Sequence, residues 1–299
     1  MSVGLTTVDH GLLHKLNTGS WARSFSPQAD VDWADATTDT EYLALYHAWS
    51  LLLGSRYDAA MNDAQRVAFA KYQQMNLMWF TALFERHGLV RFESLYDDDG
   101  DLAYQEYVSH LIKEETYHYL LFQRGVAAIR ATDPTLKPLP QRHMNAFLRV
   151  TFFLFGVLPR RLRHGMFFFL LRFVEEITLL AHRMAQETVA RRTSLVPRIW
   201  AVHALDEARH VAFDDLMLRR AELPGVLAGL PRLLTLPLCA VASLMLNGNE
   251  VWAARAVGVP ISYAALPGLY ARTTAPFKRR VFALLRKRLP QAPAPENAP

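Results

Sequence analysis

Glutamate and histidine occur together at helical spacing in two parts of this chain. His203, Glu207 and His210 lie four and three residues apart. An α-helix turns about 100° per residue, so the three side chains point the same way from successive turns. Two imidazoles and a carboxylate on one stripe suit a divalent first-row metal. Val202, Leu205, Val211 and Phe213 interleave with them, which argues against a solvated polar face. Well upstream, Glu115-Thr116-Tyr117-His118 presents a second Glu-x-x-His pair. One such pair is a weak signal in a chain with 11 histidines. Two, each inside a long helical stretch, carry more weight. Four-helix bundles with a di-iron or di-manganese centre take one such pair from each of two helices and a single Glu from each of the others.

The two single carboxylates are sought on the remaining long helices. Glu175 and Glu176 sit in an apolar run between Phe167 and Leu180, where an acidic group is costly unless paired or metal-bound. One of the two is expected to hold a metal and the other to pair with Arg172 or Arg183. On the earlier helix the candidate is Glu85, at a height matching Glu115 across an antiparallel pair; Gln73, Gln74 and Asn76 are its rivals. The sum is four carboxylates and three imidazoles, and four negative charges would balance two divalent ions.

These residues need long helices to carry them. From Glu41 onward apolar residues recur at three- and four-residue spacing, with no sustained alternation, so the fold expected is all-α. Helices are placed at about 41–54, 62–95, 101–131, 142–157, 160–192 and 197–222, with shorter ones to 289, the turns marked by Asp97–Gly100, Asp133–Pro140 and Ser194–Pro197. The expected organisation is an irregular arm over 1–40 with Trp21 and Trp33 as docking points, a helical bundle over 41–222, an apolar helical extension over 223–289, and a disordered tail over 290–299, PQAPAPENAP. In 299 residues, 51% hydrophobic, there is ample material for a core, which excludes a disordered or collagen-like chain. A single cysteine, Cys239, excludes an internal disulfide and a cysteine-held iron–sulfur cluster. The net charge of +5 permits an acidic partner without demanding one.

With its residues in place the motif set resembles the p-aminobenzoate N-oxygenase family of diiron proteins. The likeness lies in Glu115-Thr116-Tyr117-His118, in Asp206-Glu207-Ala208-Arg209-His210, and in His203 one turn before the second pair. It covers roughly residues 40–220. The resemblance implies a ferritin-like four-helix bundle with additional terminal helices, and metal ligands at Glu115, His118, Glu176, His203, Glu207 and His210, with Glu85 matching less closely. Glu176 is preferred to Glu175 because the 27 residues from it to His203 agree with the family's interval. The implied activity is that of a non-haem diiron oxygenase, with two iron ions or manganese in their place. It would activate O2 to oxygenate an amine nitrogen, carrying it toward hydroxylamine, nitroso or nitro products in natural-product biosynthesis.

Asp206 points about 100° away from Glu207, toward a neighbouring helix, where it can accept a hydrogen bond from a ligand histidine or pair with Arg209 or Arg183. Tyr117, Tyr119, His110, His182 and the Phe167–Phe173 cluster are read as core. No Gly-x-Gly-x-x-Gly or phosphate-binding loop occurs, so electrons are expected from an external reductase or ferredoxin-like donor, or oxidant from peroxide. A small-molecule amine and a homodimer are the other expected partners, with no nucleic acid. The start of the chain has no apolar run of signal length, which points to the cytoplasm. Residues 227–246 are long enough to span a bilayer, but Pro231, Arg232 and Pro237 interrupt them; a buried or surface-docked helix pair broken by proline is expected, with peripheral membrane contact, beside the basic tail Lys278–Arg288, as the alternative. Rival activities are a diiron hydroxylase or desaturase acting on carbon, and a non-catalytic ferritin-like iron-binding protein.

Overall fold

The computed structural model describes residues 7–23, 26–95, 101–221 and 229–288. Among them every regular element is helical. In chain order these are α1 (Thr7–Ala22), α2 (Asp39–Trp49), α3 (Arg56–Ala59), α4 (Asp63–Glu93), α5 (Leu102–Thr132), α6 (Arg142–Val157), α7 (Arg160–Thr188), α8 (Leu195–Arg220), α9 (Leu230–Ala256), α10 (Leu266–Arg272) and α11 (Pro276–Arg288). The four long helices α4, α5, α7 and α8 pair as α4 with α5 and α7 with α8, and α5 also lies against α8. The turn expected at 97–100 and the tail at 290–299 lie outside the described residues.

Local chemistry sets where the bundle helices begin. Asn62 caps α4 by accepting from the Gln65 N–H while Gln65 accepts from the Asn62 N–H, and Asp101 caps α5 by accepting from Tyr104. Each such cap contributes roughly 1 kcal/mol. α4 is the central helix, buried without a break from Phe69 to Glu85, because α5, α2, α6 and α9 all pack on it. Polar groups on that run must find partners: Trp200 Nε1 donates to Gln74 Oε1 at 3.2 Å, and Asn76 Nδ2 to the Leu246 carbonyl at 3.0 Å. Where α5 approaches α8 and α4, Gly125 leaves room; a Cβ there would stand 2.8 Å from Ile199 Cδ1 and 3.1 Å from Met78 Sδ.

Two expectations need correction. The arm over 1–40 is not irregular, since α1 occupies Thr7–Ala22 and packs on α5 and α8. Its inward stripe is Leu13, Leu16, Asn17 and Ser20, helically spaced but half polar, so apolar periodicity does not reveal it. Asn17 Nδ2 earns its burial by donating to the Ala103 carbonyl at 2.9 Å and to Glu106 at 3.1 Å. Trp33 docks under Arg124, whereas Trp21 stays exposed and donates to Glu106. The segment expected to be a broken pair is one helix, α9, with Pro237 inside it. Pro237 and Leu233 both face outward, so the Leu233 carbonyl that loses its helical donor can turn to water.

Candidate metal centre

The four bundle helices bring seven acidic and imidazole side chains to one buried point. α4 supplies Glu85; α5 supplies Glu115 and His118; α7 supplies Glu175; α8 supplies His203, Glu207 and His210. All seven are at most 5% exposed. The rings of His118 and His203 are 4.2 Å apart, and those of His118 and His210 5.5 Å. Three overlapping groups have donor atoms close enough to surround an ion: Glu85 with His118 and His203, Glu115 with His118 and His210, and Glu175 with Glu207 and His210. Glu207 lies between the halves, its Oε1 being 2.9 Å from His203 Nε2, 3.5 Å from His118 Nδ1 and 3.8 Å from His210 Nδ1.

The structure separates the two neighbouring glutamates of α7. Glu175 is turned inward, its Oε1 4.0 Å from His210 Nδ1. Glu176 is outside the group, partly exposed, with Oε1 3.6 Å from Arg172 Nε. One residue of sequence is 100° of helix, so only one can face the bundle centre. Gln73, Gln74 and Asn76, the rivals of Glu85, lie two to three turns away along α4.

Behind the imidazoles stands a layer of hydrogen-bonding groups. His118 Nε2 faces Asp206 Oδ2 at 3.5 Å, and His210 Nε2 faces Glu114 Oε2 at 2.9 Å. Arg209 joins the two carboxylates, donating through Nη2 to Asp206 at 2.5 Å and to Glu114 at 2.9 Å. Its Nε reaches Ser20 Oγ on α1 at 3.2 Å. Asp206 thus pairs with Arg209 and faces the ring of His118 at 3.5 Å. Each acid serves the histidine of the opposite helix, which fixes the ring and leaves Nδ1 of both turned to the centre. Glu114 was not singled out in the sequence, yet a signal exists: both motifs read acid-Glu-x-x-His, as Glu114-Glu115 and Asp206-Glu207. Asp214, one turn beyond His210, is a further buried acid; it faces Glu175.

The electrostatics test whether these residues suit cations. Burial raises the Glu85 carboxyl well above its ordinary range, and the charges of Glu115 and Glu207 add to that. Burial, Asp214 and Glu207 do the same to Glu175. For Glu115, hydrogen bonds from His118 and His210 outweigh burial and pull its carboxyl down. Burial opposes a charge on His118, but Asp206 and Glu115 overcome it and lift the imidazole to about 9. Glu114 and Glu115 likewise raise His210 against burial. His203, dominated by burial, is lowered. Too many carboxylates are gathered for the charge available, so protons must stand in where dications would. Glu85 Oε2 and Glu207 Oε2 make no hydrogen bond although buried. Unsatisfied donor atoms of this type at a shared point fit a two-metal centre with carboxylate and imidazole ligands.

Four long helices presenting two acid-Glu-x-x-His pairs and two single glutamates define a ferritin-like bundle with a candidate carboxylate–histidine centre for two metal ions. The sequence profile described as P-aminobenzoate N-oxygenase AurF matches residues 7–287, and the chain belongs to that family. Among solved structures, R2-like ligand-binding oxidases share the fold. A mutant with an anaerobically reconstituted Mn/Fe cofactor matches with TM-score 0.61 at 12% identity, over 98% of this chain and 100% of that one. Another mutant, with an aerobically reconstituted Fe/Fe cofactor, matches with TM-score 0.55 at 11% identity, over 97% and 99%. Curated relatives include uncharacterized proteins Rv0885 of Mycobacterium tuberculosis (strain H37Rv) and Mb0909 of Mycobacterium bovis, each 26% identical over 215 residues. The match takes in 70% of this chain and 60% of their length. Among the described residues no helix is long and apolar enough to cross a membrane.

Proposed function

We propose that this chain is a diiron oxygenase that uses O2 to oxygenate an amine nitrogen of a small molecule. The observation that carries the reading is the third imidazole. His203 enters the buried group beside Glu85 and Glu207, one turn before the second Glu-x-x-His, in a chain of the N-oxygenase family. In this reading Glu85, Glu115, His118, Glu175, His203, Glu207 and His210 hold the metals. Two ferrous ions supply the electron pair that dioxygen needs, and manganese can replace iron in a donor set of this kind. Glu115 and Glu207, each close to more than one imidazole, would be among the residues that hold the metals. Asp206, Glu114 and Arg209 keep His118 and His210 oriented. The burial of all seven keeps bulk water from the reacting oxygen.

One oxygen atom would enter the nitrogen and the other leave as water. The nitrogen gives up two of the four electrons and the metals the other two, so the metals would have to be re-reduced with two electrons per turn, and an external reductase or ferredoxin-like protein is part of the proposal. The test is product analysis. The reconstituted protein, with O2 and a chemical reductant, is offered aryl and alkyl amines in turn, and hydroxylamine, nitroso and nitro products are sought by mass spectrometry with 18O2. No label in any nitrogen product across the panel would contradict the reading.

A second reading, oxygenation of carbon, is favoured by one feature. A narrow apolar crevice with about 20 Å³ of open space is lined in part by Phe80, Phe84, Leu170, Phe173 and Val174. Phe84 and Val174 are the immediate neighbours of Glu85 and Glu175. A wall of this kind suits an apolar substrate better than a polar amine. Label found in carbon-bound hydroxyl groups, and none on nitrogen, would decide for it.

A further inference from the structure

The molecule has one side on which apolar side chains point away from the core in regular stripes. α6 and α9 lie together over the seam between α4 and α7. Both bury an inner face, as expected of outer-layer helices, yet their outer faces are apolar too. On α6 the exposed positions include Val150, Phe153, Leu154 and Val157, the i, i+3, i+4, i+7 pattern of a helix face that seeks a partner. Phe153 and Val157 are 68% and 67% exposed. On α9, Leu233, Leu234, Val241 and Leu244 form a second stripe, Leu233 being 61% exposed. Val90, at the end of α4, extends the α6 stripe across a surface groove that it shares with Val150 and Phe153. Exposed apolar stripes on two adjacent helices point to an interaction site.

Charge identifies the partner. From Asp133 to Glu175 the chain contains no acidic residue but does contain Arg142, Arg149, Arg160, Arg161 and Arg163. Arg142 and Arg149 lie on the outer face of α6 and Arg160 and Arg161 just beyond its end, all four exposed, so the apolar stripe is bracketed by cations. α9 adds no acid either, since the interval from Glu222 to Glu250 contains none. A second copy of this chain would bring the same arginines to face these, and like charges would repel. Anionic lipid headgroups would meet them with opposite charge while the acyl layer received the apolar stripe.

We propose that the α6–α9 face is a peripheral docking surface for an anionic lipid bilayer. The helices lie in the interface plane; neither crosses it. The apolar cleft lies directly beneath, lined in part by Phe147 and Leu148 of α6 and Leu238, Cys239 and Ala242 of α9. The inference stands whichever reaction the centre performs.

The test is co-sedimentation of the full, metal-loaded chain with vesicles of phosphatidylcholine alone and with vesicles containing phosphatidylglycerol. Binding is expected to the phosphatidylglycerol vesicles, weakening as salt is raised, and to be much poorer with phosphatidylcholine. The double variant Phe153→Glu with Leu244→Glu should lose roughly tenfold or more of the partition, and Arg149→Glu roughly fivefold or more. All three positions are exposed, so circular dichroism and metal content should not change. Absence of binding to phosphatidylglycerol vesicles, or binding unaltered in the folded variants, would overturn the proposal. So would a concentration-dependent dimer on gel filtration that the double variant abolishes, because the face would then belong to a second copy.

Discussion

The two halves of the candidate metal centre are built differently. One gathers two imidazoles, His118 and His203, around Glu85. The other has one imidazole, His210, among Glu175, Glu207 and Glu115, with the further acid Asp214 behind Glu175. The first half is rich in neutral nitrogen donors and the second in anionic oxygen. Oxygen ligands favour the harder, more highly charged ion, and imidazole the softer divalent state. The difference teaches that the site is asymmetric by construction: His203 enriches one half in nitrogen, while Glu115 and Glu207 enrich the other in oxygen. Two ions held there would differ in ligand field although both would stand near Glu207.

The largest disturbance should come from the shared carboxylate. Replacing Glu207 by Ala takes a ligand from both halves, and the metal content of reconstituted protein should fall from about two per chain to well below about one, as read by elemental analysis. Next come the variants that strike one half only. His203→Ala should leave about one metal, in the oxygen-rich half, and Glu175→Ala about one in the nitrogen-rich half. Electron paramagnetic resonance of manganese-loaded samples should distinguish the two survivors by nitrogen hyperfine coupling. Glu176→Ala, one residue from Glu175, should leave the metal content unchanged. Equal losses in the Glu175 and Glu176 variants would break the comparison.

Smaller effects are expected behind the ligands. Glu114→Gln frees the His210 ring and unpairs Arg209, and Arg209→Met removes the link between Glu114 and Asp206. Each should weaken metal affinity by roughly 10- to 100-fold while stoichiometry at saturation is retained. Competition with a chelator of known affinity measures this. The smallest effect is in pH dependence. His118 in the metal-free protein is raised to about 9 by Asp206 and Glu115, above its ordinary value. The stability it gives is therefore complete below the unfolded value near 6.5 and is lost as pH rises through about 9. Calorimetry should show Tm of the metal-free protein falling over that window, and Tm of the loaded protein nearly flat, because a metal then satisfies the carboxylates at either pH.

Much of the centre could be read from the chain because its donors obey helical spacing. The two Glu-x-x-His pairs and His203 needed only the 100° turn, and Glu85 needed only matching heights on antiparallel helices. What could not be read depended on phase and packing. Glu175 and Glu176 differ by one residue, and which faces inward is fixed by how α7 sits against α8, where Arg172 pairs with Asp215 as well as Glu176. Glu114 lies outside the Glu-x-x-His spacing, and only its parallel with Asp206, the acid before Glu207, marks it. α1 was hidden by a stripe in which Asn17 and Ser20 take the place of apolar residues, and those two groups bond to α5 and to Arg209. For α9 the prolines misled: Pro237 costs one hydrogen bond on an exposed face, too little to break a 27-residue helix.

The central claim is that seven side chains from four helices enclose two metal ions. Anomalous diffraction at the iron edge, on crystals of aerobically reconstituted protein, tests it most directly. Two peaks about 3.5–4 Å apart, one bounded by Glu85, His118 and His203 and the other by Glu175 and His210, with Glu207 between them, is the predicted result. A single peak, or two peaks with Glu176 in place of Glu175, would contradict the account.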